Sequence, residues 1–156
     1  MNIVSETICE KRNQWHYNQI MNNLKEEKLD AVRAGRNALE SLYEVRNELK
    51  GAKTWGLWDI LGGGGFVSFI KYMKLDKASS CCYKARRDLQ KFQYELNDVL
   101  FLDRNLDFNI SAILTFLDFF SDDVVSDYLV QREINKALVS VDEAILTVKN
   151  IIDCLQ

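Results

Sequence analysis

The sequence predicts an all-α protein, an antiparallel helical bundle of three long helices with coiled-coil-like packing plus one short apolar helix. Three observations carry that prediction. The 156 residues include no proline, the residue that breaks helix interiors, where average usage would supply roughly eight. Apolar residues recur at alternating three- and four-residue spacing over long stretches, the period of a helix with one buried stripe. Hydrophobic residues make up 47% of the chain and charged ones 28%, the balance of a folded domain of ordinary size.

The first helix is read from residue 5 to residue 53. Its seam runs Tyr17, Met21, Leu24, Lys28, Ala31, Gly35, Ala38, Leu42, Val45, Leu49 and Ala52, with Lys28 the only charged member. This is an a/d pattern sustained over several heptads. Ala31, Gly35 and Ala38 make its centre small, which lets a partner helix approach closely. At about 1.5 Å of rise per residue the rod would be near 70 Å long.

A Trp/Gly-rich loop is expected over residues 54–65. Two of the three tryptophans and five of the seven glycines stand there. The four consecutive glycines each cost a helix about 1 kcal/mol against alanine. The loop's candidate interaction residues are Trp55, Trp58, Asp59, Gly62, Gly63, Gly64, Gly65 and Phe66. Four readings compete. The segment is a helix–helix turn that plugs the end of the bundle, a contact with a membrane interface, a phosphate cradle at a helix start, or a tryptophan anchor for a protein partner. The cradle lacks the expected Lys-Ser/Thr after its glycines, because Phe66-Val67 follows them.

The second helix is read over 66–102, with the seam Leu75, Ala78, Cys82, Ala85, Leu89, Phe92, Leu96 and Val99. The short helix, 109–120, is apolar nearly all round and demands burial on more than one side. It is expected to close the other end of the bundle or to form a homodimer interface through Phe116, Phe119 and Phe120. Ser121-Asp122-Asp123 is a good helix start, and the last helix is read over 122–155. Its seam is Val130, Ile134, Ala137, Val141, Ala144, Val148, Ile151 and Leu155. Ala85, Leu89, Phe92 and Leu96 fall on Ala144, Val148, Ile151 and Leu155 at a constant offset. A diverged duplication produces such a match, and so do two helices filling similar slots.

Charge divides the chain unevenly. Residues 1–54 hold nine basic and eight acidic side chains, 71–104 hold eight and five, and 105–156 hold three and nine. The middle and last helices should therefore attract and pair antiparallel. The net charge of −3 argues against nucleic acid, which needs a basic footprint. The N-terminus has no apolar h-region, so a cytoplasmic location is expected.

No catalytic constellation is found. One histidine and scattered cysteines cannot build a zinc site or a di-metal carboxylate centre. No serine has a histidine base in a recognisable motif. No enzyme, metal or cofactor is expected. The function predicted is that of an interaction or scaffold protein that docks a protein partner, or a second copy of itself, through the Trp/Gly loop or the Phe-rich short helix. The alternative is a peripheral membrane-binding protein that inserts the loop, with Lys50, Lys53, Lys71 and Lys74 facing anionic headgroups.

One pattern extends over about Lys50 to Val99. It comprises Trp58-Asp59 with Gly62 to Gly65, then Lys71 to Ala78 in the form Lys-x-x-x-Leu-Asp-x-Ala. Arg87 to Leu96 follows, in the form Arg-Asp-Leu-x-x-Phe-Gln-x-Glu-Leu. In this the chain resembles a family of bacterial helical proteins of uncharacterised activity. Members of that family often carry histidines where this chain has Tyr72 and Lys74. The resemblance implies a helical fold and brings no activity with it.

Overall fold

The computed structural model describes the backbone of residues 3–62, 77–120 and 131–156, and the side chains of residues 12–51, 80–120 and 135–156. Among the described residues there are four helices and no strand: α1 (Ile3–Gly62), α2 (Lys77–Leu102), α3 (Ser111–Phe119) and α4 (Gln131–Leu155). The fold is the all-α bundle that periodicity predicts.

The first helix is longer than expected. It runs through Thr54, Trp55, Trp58 and Asp59 to Gly62, so most of the expected 54–65 loop has a helical backbone. The reason lies in the residues: 54–62 contains no proline, and the one interior glycine, Gly56, costs only about 1 kcal/mol. That cost does not end a helix already propagating. The beginnings expected for the second and last long helices, 66 and 122, lie outside the described residues. The short helix is trimmed by one or two residues at each end. Asn109 Oδ1 accepts the Ser111 N–H at 3.0 Å, and the Phe120 N–H returns to the Phe116 carbonyl at 3.0 Å.

With 60 residues against 26 in α2 and 25 in α4, α1 is the spine, about 90 Å long. On one flank Ser41 bonds Asp88, Glu44 pairs with Lys84, and Glu27 lies beside Glu95 and Asp98. On the other, Arg46 meets Asp142, and the backbone at Gly35 faces Ile152. Numbers on α2 and on α4 fall as those on α1 rise. Both helices are antiparallel to α1 and therefore parallel to each other, which corrects the expected antiparallel pairing of the middle and last helices. Their backbones stay more than 8 Å apart. Exposed charge pairs are worth a fraction of a kcal/mol, and burial of both apolar stripes on α1 outweighs them. Helix α3 fills the remaining corner, packed on α4 and touching α2, with no backbone approach to α1 within 8 Å.

The core follows the seams. Ala31, Ala38, Leu42, Val45 and Leu49 of α1 are buried, as are Ala85, Leu89, Phe92, Leu96 and Val99 of α2 and Ala137, Val141, Ala144, Val148, Ile151 and Leu155 of α4. The three long helices converge at Gly35. A Cβ placed there would stand 2.9 Å from Ile152 Cγ1 and Cδ1 and from Phe92 Cε2. Phe92 and Ile152 thus reach the same level of α1 from two sides. The matching patterns of α2 and α4 occupy equivalent slots. Two serines are embedded in the core, Ser41 and Ser140; Ser41 is fully buried and gives its single proton to the Asp88 carboxylate, with the Asn37 carbonyl 3.1 Å away.

Candidate functional site

The seam of α1 does not stay covered. Every described side chain from Arg12 to Asn23 is exposed. Tyr17, Ile20, Met21 and Leu24 stand at i, i+3, i+4 and i+7, one face of the helix, in line with the buried Ala31 and Ala38. Tyr17 is 60% exposed, Ile20 51% and Met21 45%, where the sequence reading placed Tyr17 and Met21 in a packed seam. Leu24, half-buried, touches the core. Trp15 lies on the opposite side, 57% exposed, with its ring edge-on to His16 at 5.3 Å. The arm propagates from the packed part of α1 with no proline or glycine before Gly35, so it needs no separate nucleus.

At the base of the arm, where α4 ends, a groove of about 830 Å³ opens. Met21, Leu24, Leu29, Val32 and Leu155 form its apolar wall. Lys25, Lys28, Arg33 and Arg36 stand around it, with Asn22, Cys154 and Gln156 completing its lining. Arg33 is tied to Asp30 at 2.7 Å. Among the described residues, Lys25, Lys28 and Arg36 have no acidic partner. The groove follows a single row on α1: Arg46 and Tyr43 meet α4, Arg36 and Val32 stand near its last turns, and Leu29, Lys25 and Met21 lie further along. Within the covered part, Arg46 Nε lies 2.6 Å from Asp142 Oδ1 without an aligned hydrogen bond, a pairing by charge. Lys149 stands 5.5 Å over the Tyr43 ring.

The residues singled out from sequence fare differently. Phe116 is fully buried and Phe120 nearly so, with ring centroids 4.5 Å apart, and Phe119 leans edge-on against Phe120 at 5.0 Å. These rings fill the core between α3 and α4. Phe116 and Phe120 are thus covered within the chain itself, and Phe119 partly so. Trp55, Trp58, Asp59 and Gly62 lie on the helical backbone of α1, with side chains outside the described residues. Gly63, Gly64, Gly65 and Phe66 lie outside them altogether. The arm was missed because its residues continue the same spacing as the core.

Two clusters carry titratable groups. Cys82 donates its S–H to Cys81, which pushes the Cys82 thiol up, reinforced by burial, and draws the Cys81 thiol down. Carboxylate oxygens of Glu27, Glu95 and Asp98 lie within 4.8 Å of one another across α1 and α2. Partial burial, then Asp98 and Glu95, raise the Glu27 carboxyl above its ordinary value. Among the described residues, nothing near either cluster forms a nucleophile–base pair. Among the described residues no helix is long and apolar enough to cross a membrane.

Comparison with known proteins returns nothing similar: no family model, no curated protein and no solved structure matches the chain.

Proposed function

We propose that this is a non-enzymatic docking protein that engages a protein partner through the N-terminal arm of α1. One observation supports the reading: the stripe Tyr17, Ile20, Met21 and Leu24 prolongs the buried seam into solvent, with Tyr17, Ile20 and Met21 exposed and Leu24 half-buried at its base. Contiguous exposed apolar surface of that kind marks interaction sites, and anchors at i, i+3, i+4 and i+7 are how a helix is read by a partner's groove or helix. The buried rings of α3 turn the reading away from the short helix and toward the arm.

The test is retention of partners by immobilised protein. Ile20→Asp with Met21→Asp should remove the proteins that wild type retains and leave the thermal midpoint unchanged, since neither residue is in the core. Identical retention by both proteins would end the reading. A loss caused instead by Trp58→Ala would place docking at the opposite end of α1, on the Trp/Gly segment.

A further inference from the structure

We infer that Cys81 and Cys82 form a two-sulfur chelating site for trivalent arsenic, presented by α2 beside its contact with α1. Adjacency alone does not make a chelate, because neighbouring side chains on a helix point about 100° apart. The two thiols nonetheless meet: Cys82 donates its S–H to the Cys81 sulfur. Both are half-buried and packed against the core, and neither is in a disulfide.

The helix separates the two reactions open to such a pair. A disulfide needs its sulfurs about 2.05 Å apart, at a torsion near 90°. Closing that eight-membered ring would pull the 81–82 peptide out of helical geometry, in an α2 that runs unbroken from Lys77 to Leu102. A bridging atom adds a member to the ring and leaves the sulfurs nearer their hydrogen-bonded separation. The backbone then keeps its helix.

Charge selects the bridging atom. The register set by Ser41 with Asp88 and by Glu44 with Lys84 brings Glu48 level with Cys81. The Glu48 and Glu44 carboxylates oppose a negative charge on the Cys81 sulfur, and burial opposes one on Cys82. A soft cation held by two thiolates, such as Cu(I), would leave a net negative charge there. Zinc asks for four ligands, and among the described residues no third histidine, cysteine or carboxylate completes a ligand group with the pair. An organic arsenous oxide needs two sulfurs and leaves no charge: R–As=O and two thiols give R–As(SR′)2 and water. Two As–S bonds form, both thiol protons leave with the oxygen, and no electron is transferred.

Phenylarsine oxide is the probe. By intact-mass spectrometry the protein should take up one equivalent, which dithiothreitol removes and mercaptoethanol at the same thiol concentration does not. Cys81→Ser and Cys82→Ser should each lose at least about tenfold in affinity, since the second sulfur binds as an intramolecular partner. Cys9→Ser/Cys154→Ser should bind as wild type does. Undiminished uptake by either single variant overturns the inference, and so does uptake that depends on Cys9 or Cys154. A site built by the fold binds the native chain better than the unfolded one, so the bound probe should raise the thermal midpoint. An unchanged or lowered midpoint would reduce the pair to two thiols adjacent in sequence and overturn the inference as well. That measurement uses the unaltered protein and decides the matter even where a serine variant fails to fold. The site is independent of the docking reading, and Ile20→Asp/Met21→Asp should bind the probe as wild type does.

Discussion

Two glycines of α1 separate the demands of packing from those of helix propensity. At Gly51 an added Cβ would meet nothing within 4 Å, so Gly51→Ala should stabilise the protein by up to about 1 kcal/mol through lost unfolded-state freedom. At Gly35 the same change drives a methyl to 2.9 Å from an Ile152 carbon and from the Phe92 ring. A ring edge flanked by buried neighbours has little room to yield. Overpacking typically costs about 1–3 kcal/mol, enough to outweigh the propensity gain, and Gly35→Ala should be destabilised on balance. Urea unfolding of the two variants decides this, and a stabilised Gly35→Ala would mean the helices can part there without loss.

Between elements, the α1–α2 contact carries one favourable and one unfavourable electrostatic knot. Lys84 reaches both oxygens of Glu44 at 2.9 and 3.1 Å, an exposed pair of modest worth. Glu27 against Asp98 and Glu95 is repulsive, and its carboxyl titrates above the ordinary 4.5 in the fold. Between 4.5 and that raised value the folded chain binds more protons at Glu27 than the unfolded chain does. Stability from this group therefore falls as pH rises through the window, and the deficit persists above it. Glu27→Gln should raise the thermal midpoint at pH 7, and its advantage over wild type should shrink as pH drops toward 4.5. An advantage that stays constant across that range would assign the effect to something other than this carboxylate.

Over the whole molecule, what was legible in the sequence was the set of buried positions, and what was not was how much of each pattern finds a partner. Ala85 to Val99 and Ala137 to Leu155 were readable because one face of a packed helix must be apolar. Tyr17 and Met21 carry the same spacing and stay exposed, because coverage depends on where other helices pack, which no residue of α1 encodes. The parallel relation of α2 and α4 was hidden for a similar reason: charge sums describe attraction between segments, whereas direction follows from both stripes being buried on one spine. Phe116 and Phe120 showed that they needed cover without showing whose. The same geometry predicts uneven susceptibility to protease. Trypsin should cut after Arg12 and Lys25, in the uncovered arm, before it cuts after Lys91 in the packed part of α2, since cleavage follows local opening. Mass spectrometry of an early time course checks the order, and simultaneous cleavage at Lys25 and Lys91 would show the arm to be as protected as the core.

The central position of α1 also sets a timetable. Ser41 and Asp88 are 47 residues apart in sequence, whereas Gly35 and Ile152 are 117 apart. A ribosome delivers the α1–α2 hairpin complete, with Phe92 already seated beside Gly35, well before it delivers the segment that closes the second flank. Loop-closure entropy orders the steps the same way during refolding. Until α4 is delivered its whole track on α1 is bare, and a chaperone or an early-binding helix would meet it there first.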